Sequence, residues 1–179
     1  MNKPTILAFA ASTSSQSINK QLAEYAANAL PEVQVRVIDL NDFTAPMYSV
    51  DAEAKDGIPA SAKAFVAEIE AADGIILSLA EHNGSYTAAF KSLFDWGTRH
   101  KHKIWSEKPM LLLSTSPGAR GGATVLGTAS SSFPHLGAKI AATFSLPSFS
   151  DNFSSADGIQ DETLKKNFAR KLAEFRSTF

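Results

Sequence analysis

Five short apolar runs, each followed by the stripe of an amphipathic helix, restrict this chain to a narrow set of folds. Residues 6–10, 33–40, 74–79, 110–113 and 139–144 are rich in Val, Ile and Leu, the mark of strands buried in a sheet. Helical spacing follows each of them: Ile18, Leu22, Tyr25, Ala26 and Ala29; Ala62, Phe65, Val66 and Ile69; Phe90, Leu93 and Phe94; Val125, Leu126, Ala129 and Phe133; Leu164, Phe168, Leu172 and Phe175. Alternation of this kind implies right-handed crossovers and one parallel sheet covered by helices on both faces. Ligand sites then lie at the carboxyl ends of the strands. Residues 41–59, punctuated by Pro46, Gly57 and Pro59, read as the longest irregular stretch.

At 179 residues the chain suits one domain, residues 1–179, with a substantial core. Its pattern predicts an α/β fold, a flavodoxin-like three-layer sandwich with a five-stranded parallel sheet of order 2-1-3-4-5. The loops after strands one, three and four are then the ones that meet a ligand.

The first of these begins with Ser12-Thr13-Ser14-Ser15-Gln16-Ser17-Ile18-Asn19, so hydroxyls and amides cluster on the N-terminus of the first helix. Free N–H groups and the positive end of the helix dipole favour an anion there, and the hydroxyls add donors around a terminal phosphate. No Lys or Arg lies between Lys3 and Lys20. A neutral cradle suits one phosphate monoester better than a triphosphate with its metal. The plainer reading is a solvated turn in which Ser12 or Ser14 only caps the helix. The first glycine is Gly57, which rules out the glycine-rich dinucleotide fingerprint in this turn, and no Gly-Lys-Ser/Thr phosphate loop occurs anywhere.

After the third strand comes Ala80-Glu81-His82-Asn83-Gly84-Ser85-Tyr86, and after the fourth Ser114-Thr115-Ser116-Pro117-Gly118-Ala119-Arg120-Gly121-Gly122. Asn-Gly and Gly-Gly expose N–H groups with no side chain in the way, as a flat ring bearing carbonyls and ring nitrogens requires. Taken singly, each is plain: a common turn and a helix start. His82 alone would more often be a surface or capping histidine, and Phe94, Trp96 and Trp105 more often core or interface than stacking groups. Three such loops at one edge of one sheet carry the case.

Composition removes several function classes. With 17 basic and 18 acidic residues, a net charge of −1 and no basic stripe interleaved with aromatics, nucleic acid is not an expected partner. The basic cluster at 99–103 reads as a solvated helix C-terminus that complements the dipole. His100 and His102 would splay to different faces, a poor metal site. Without cysteine there is no disulfide framework and no thiolate chemistry. No apolar run approaches the ~20 residues needed to cross a membrane, and the first strand follows no charged leader, so a cytoplasmic location is expected.

Three groups of residues carry a family resemblance. They are Ser12, Ser17, Asn19, Leu22 and Ala23; Ile38-Asp39-Leu40 followed by Pro46, Met47 and Tyr48; and Glu81, Asn83, Gly84 and Ser85 leading to Lys91, Asp95 and Trp96. Together they resemble the NADPH-dependent FMN reductase family of flavodoxin-like flavoproteins over nearly the whole chain. The chain departs from that pattern with Ala11 for glycine, Ser14 for a loop arginine, Ala80 for proline, His82 for tyrosine and Phe90 for leucine. The resemblance implies FMN as cofactor, NADPH or NADH as hydride donor and a small-molecule electron acceptor such as free flavin or a quinone. It places Ser12, Ser14, Ser17 and Asn19 on the phosphate, with Ser15 and Ile18 in the same loop. Glu81, His82, Asn83, Gly84 and Ser85 border the ring, with Ser116, Gly118, Gly121 and Gly122 at its pyrimidine side. The flavin does the chemistry, so no catalytic side chain is demanded.

Two other readings stand beside this one: a flavin-binding electron carrier or regulator without NAD(P)H turnover, and a nucleoside or deoxyribosyl transferase, for which Glu81 is the only loop carboxylate. A homodimer or homotetramer is expected, because Phe90, Phe94 and Trp96 with residues 100–105 bring more large apolar groups together than one helix face usually buries.

Overall fold

The computed structural model describes residues 3–179. From the amino end, β1 (Thr5–Ala10) leads to α1 (Ile18–Asn28), β2 (Gln34–Val37), α2 (Val50–Asp56), α3 (Ala60–Ala71) and β3 (Gly74–Leu79). A hairpin of β4 (Glu81–His82) and β5 (Ser85–Tyr86) precedes α4 (Ala88–His100), β6 (Pro109–Thr115), α5 (Ala123–Ser132) and β7 (Lys139–Leu146). The last elements are α6 (Phe149–Asn152), a second hairpin of β8 (Phe153–Ser154) and β9 (Gly158–Ile159), and α7 (Glu162–Arg176).

The five-stranded sheet runs β2-β1-β3-β6-β7 and every pairing is parallel, the expected 2-1-3-4-5 order. Successive strand residues point to opposite faces, and the two helix layers divide accordingly. Ile6 and Ala8 pack with Leu22, Ala26, Phe168 and Phe175 under α1 and α7. Leu7 and Phe9 pack with Phe65, Ile69, Phe90, Trp96 and Val125 under α3, α4 and α5. Each fully buried side chain of this size contributes about 1.5–3 kcal/mol, so both faces of the sheet hold the fold.

Several segments depart from expectation. The second strand spans four residues rather than 33–40. It is an edge strand with β1 as its one neighbour, and after Ile38 donates its N–H to the Ala8 carbonyl (3.1 Å) the chain turns away. Asp39 starts that turn by accepting the Asn41 N–H (2.9 Å), opening a 3-10 helix at Leu40–Phe43. Residues 41–59 are therefore not irregular; they hold this turn and α2. No residue of α2 is buried, so it has no apolar stripe by which to be recognised, and it is held by its caps: Ser49 Oγ accepts from Ala52 N–H (3.0 Å) and Gly57 closes it at φ 72°. α5 stops at Ser132, and Phe133–Leu136 continue as a 3-10 turn around Pro134.

The aromatic groups expected to face a partner are buried within the chain instead. Phe90, Trp96 and Trp105 are at most 1% exposed and Phe94 only 7%. The segment after α4 folds back over them, with Trp105 stacked 5.6 Å from Phe94 and 4.6 Å from Phe133. Among the described residues the large apolar groups that do face solvent are Met47 (86%), Val50 (71%) and, less so, Val37 (39%) at the end of β2; the first two stand apart from the sheet. Met47 and Val50 lie on a segment latched to α4, since Ser92 Oγ (2.6 Å) and Trp96 Nε1 (2.8 Å) both donate to the Pro46 carbonyl. Among the described residues no helix is long and apolar enough to cross a membrane.

Candidate active site

The loop after β1 is built from its own hydroxyls. Ser12 Oγ accepts from Ser14 N–H and Ser14 Oγ from Gln16 N–H, both at 3.2 Å, and Ser17 Oγ accepts from Lys20 N–H at 3.1 Å. Ser17, rather than Ser12 or Ser14, is thus the N-cap of α1. Because each hydroxyl accepts from the backbone, each keeps its own proton to donate outward. Among the described residues the N–H groups of Ser15, Ile18 and Asn19 have no acceptor within the chain, and the first turn of α1 carries no acid. An anion placed here meets unpaired donors and an uncompensated helix dipole. The nearby charges cancel: Lys20 Nζ lies 2.6 Å from Asp39 Oδ2. That bond holds the Asp39 carboxyl below its ordinary value and the Lys20 ammonium above its own, so both stay ionised at neutral pH.

Asn19 plays a part different from the one expected. Its side chain is buried; Oδ1 accepts from Ser78 Oγ (2.8 Å) and Thr115 N–H (3.1 Å), and Nδ2 donates to the Thr115 carbonyl (3.1 Å). It pins the start of α1 to the ends of β3 and β6 and offers the phosphate region its backbone N–H rather than its amide.

The loop after β3 is a hairpin. Asn83 (φ 52°) and Gly84 (φ 75°) form its two-residue turn, with both residues in the left-handed region that such tight turns require. Glu81 Oε2 accepts the N–H of Val125 in the first turn of α5 (2.9 Å), so the carboxylate caps that helix. This removes the free loop carboxylate that a glycosyl transfer would need. Beyond the hairpin, Thr87 Oγ1 caps α4 by accepting from Phe90 N–H (3.3 Å) and donates to the Ala11 carbonyl (2.9 Å), joining α4 to the end of β1. Tyr86 is half-buried on Phe133, and burial raises its hydroxyl pKa, which keeps it protonated.

The loop after β6 is fastened from below. The Gly121 carbonyl accepts from Ser114 Oγ (2.7 Å) and Ser145 Oγ (2.9 Å), while the Gly118 and Ser116 carbonyls accept from Ser148 N–H (3.0 Å) and Phe149 N–H (3.1 Å). Gly121 and Gly122 both have positive φ, 56° and 73°. A Cβ on Gly121 would collide with Ser145 Oγ and lie 2.9 Å from backbone atoms of Leu146 and Pro147, so glycine is required twice over.

These three loops close on one cleft of about 180 Å³ at the carboxyl edge of the sheet. Of the expected site residues, Ser12, Ser14, Ser17, Ile18, Asn19, Glu81, His82 and Ser116 line it. Ser15, Asn83, Gly84, Ser85, Gly118, Gly121 and Gly122 belong to the same three loops but do not line it. Gln16, Ala80, Thr115 and Pro117 also line it and were not anticipated; each is the sequence neighbour of a residue that was. Larger hollows exist, the largest of about 630 Å³ beside Lys3, Gln34 and Asp73, but that one lies at the amino end of the strands, away from every helix N-terminus described above.

The 2-1-3-4-5 parallel sheet, with unpaired N–H groups at the start of α1 and the loops after β1, β3 and β6 meeting at one cleft, is the flavodoxin-like architecture. Residues 4–151 match the model of the NADPH-dependent FMN reductase family, and the chain belongs to that family. It is similar to a quinone reductase of Pseudomonas putida, 32% identical over 109 residues, covering 60% of this chain and 57% of the relative. A quinone reductase of Escherichia coli K12 is 30% identical over 101 residues, covering 54% of each chain. The chain thus spans little more than half the length of these curated relatives. Among solved structures, the flavoenzyme NAD(P)H:(acceptor) oxidoreductase FerB of Paracoccus denitrificans has the same fold, with a TM-score of 0.74 at 24% identity over 97% of this chain and 96% of that one. The apo form of an NADH:FMN oxidoreductase, EmoB, gives a TM-score of 0.75 at 23% identity over 98% and 90%.

Proposed function

We propose that this protein is an FMN-dependent NAD(P)H oxidoreductase that reduces quinones, flavins or similar planar acceptors. The observation that carries the reading is the neutral cradle at α1. Donor protons of Ser12, Ser14 and Ser17 and free N–H groups of Ser15, Ile18 and Asn19 gather there, while the neighbouring Lys20 and Asp39 satisfy each other. That donor set fits the phosphate of FMN, and the hairpin and the Ser116–Gly122 loop stand where its ring system would lie. When bound, FMN supplies the two-electron transfer chemistry. The chain's own residues bind and orient it. Asn19 fixes the cradle, Glu81 holds the hairpin to α5, and the double-glycine turn with positive φ shapes the loop after β6 that would border the ring. Family membership and the quinone-reducing relatives support the same reading.

The cleft is smaller than the ~300–1,000 Å³ of enclosed ligand pockets, so a nucleotide seated in it projects beyond this chain. A second copy that docks through exposed Met47 and Val50, beside the hollow of about 410 Å³ between Met47, Tyr48, Ala88 and Ala89, completes the cover. The expected homo-oligomer is thereby proposed through a different surface from the buried aromatic cluster. A cytoplasmic setting agrees with the absence of cysteine and with the intracellular supply of reduced nicotinamide.

Titration of the apoprotein with FMN, followed by quenching of flavin fluorescence, tests the reading. Binding near one per subunit at micromolar FMN is expected, with riboflavin weaker because it lacks the phosphate. No quenching at that concentration overturns the proposal. Binding with negligible steady-state NAD(P)H oxidation in the presence of quinone leaves the carrier reading in its place.

A further inference from the structure

The carboxyl edge of the sheet is poor in cations. The loops after β1, β2, β3, β6 and β7 contain a single Lys or Arg, Arg120. Of the cations on the helices that follow, three are paired: Lys20 with Asp39 at 2.6 Å, Lys91 with Asp95 at 2.7 Å and Arg99 with Glu53 at 2.9 Å. Arg120 differs from all three. It is exposed, its guanidinium donates through Nη2 to the neutral hydroxyl of Thr124 (2.7 Å), and no carboxylate within the described residues lies in ion-pair reach. Glu81, the loop carboxylate on this side, is engaged by Val125 N–H. The remaining guanidinium donors face solvent, and a planar fork of this kind matches a phosphate with two parallel bonds.

Position separates this group from the cradle. Arg120 follows β6, two strands from β1, which sets it about 10 Å across the sheet from the α1 N-terminus. One phosphate cannot serve both. Thr124, which holds the guanidinium, packs against the hairpin tip, its Cγ2 lying 3.8 Å from the place a Cβ on Gly84 would occupy. The uncompensated charge therefore stands on the rim of the cleft, beside the hairpin.

We propose that Arg120 anchors a phosphate of the dinucleotide reductant and so positions its adenosine half on the rim formed by the hairpin and the start of α5. The inference rests on the proposed function. A dinucleotide brings a pyrophosphate, and its phosphorylated form adds a 2′-phosphate; Arg120 is the one cation carried by the loops themselves that can receive either. A dianionic group paired with a guanidinium on an exposed rim gains about ten-fold or more in affinity.

The test uses FMN-loaded wild type, Arg120→Gln and Arg120→Lys, titrated by calorimetry with NADP+, NAD+ and adenosine 2′,5′-bisphosphate. Arg120→Gln should weaken NADP+ about ten-fold while FMN affinity stays within two-fold, and Arg120→Lys should recover part of the loss. If the 2′-phosphate is the ligand, NAD+ is unaffected and adenosine 2′,5′-bisphosphate weakens with NADP+; if the pyrophosphate is the ligand, both dinucleotides weaken equally. Unchanged affinity for both in Arg120→Gln, or no dinucleotide binding by wild type, overturns the assignment while the flavin reading survives. Failure of wild type to load FMN at the first step overturns both.

Discussion

Ser14 and Ser17 carry the most direct consequences at the scale of single residues. Ser17 closes the first turn of α1 and points its proton at the cradle, whereas exposed Ser14 occupies the place of the family arginine. Ser14→Arg is expected to tighten FMN by roughly five-fold to a hundred-fold through a charge-assisted bond, with riboflavin unchanged. Ser17→Ala should weaken FMN by about 1 kcal/mol, again sparing riboflavin, and lower stability by a similar ~1 kcal/mol through loss of the cap. Calorimetry with both ligands decides the matter; equal changes for FMN and riboflavin would place the phosphate elsewhere. The hydroxyls were legible in the sequence because a polar cluster between an apolar run and a helical stripe has few other uses. The engagement of Asn19 was not, because its partners Ser78 and Thr115 lie 59 and 96 residues away. The capping role of Glu81, which also lines the cleft, was hidden for the same reason: the helix end it caps is 44 residues further on.

Elements built on apolar periodicity were legible, and those built on caps and turn chemistry were not. β1, β3 and β6 are buried, edge strand β7 is partly so, and all four follow from their composition, whereas exposed β2 kept only its central residues and α2 left no periodic trace. The Asn83–Gly84 turn was readable as a turn, but its pairing of Glu81 with Tyr86 and His82 with Ser85, two residues a side, is too short to leave a strand pattern. The loop after β6 offers a sharp contrast between two glycines. Gly121 needs a positive φ and abuts backbone at 2.9 Å, while a Cβ on Gly118 meets nothing nearer than Ser116 Oγ at 4.0 Å. Gly121→Ala should therefore cost on the order of 1–3 kcal/mol and weaken FMN, with Gly118→Ala close to wild type in both. Thermal melts of the two variants check this, and equal melting temperatures would refute the packing account.

For the molecule as a whole, the proposed self-association rests on the apolar groups left outside. The aromatic cluster is buried, and Met47 and Val50 are far more exposed than Val37, so on that proposal they are the groups to be covered. Met47→Asp should shift the protein to monomer in light scattering at micromolar concentration without altering its melting transition at high dilution; a wild type that is already monomeric there refutes the docking surface. The latch on Pro46 gives this surface a further meaning. α4 is capped by Thr87, which bonds the Ala11 carbonyl at the end of β1 just before the cradle, and along its length holds Pro46 beside Met47 through Ser92 and Trp96. One helix thus connects the neighbourhood of the ligand cleft with the proposed association surface. Linkage is reciprocal, so a ligand that favours one placement of α4 strengthens self-association by the same factor by which self-association strengthens the ligand. Dilution would then act on this protein as a negative effector.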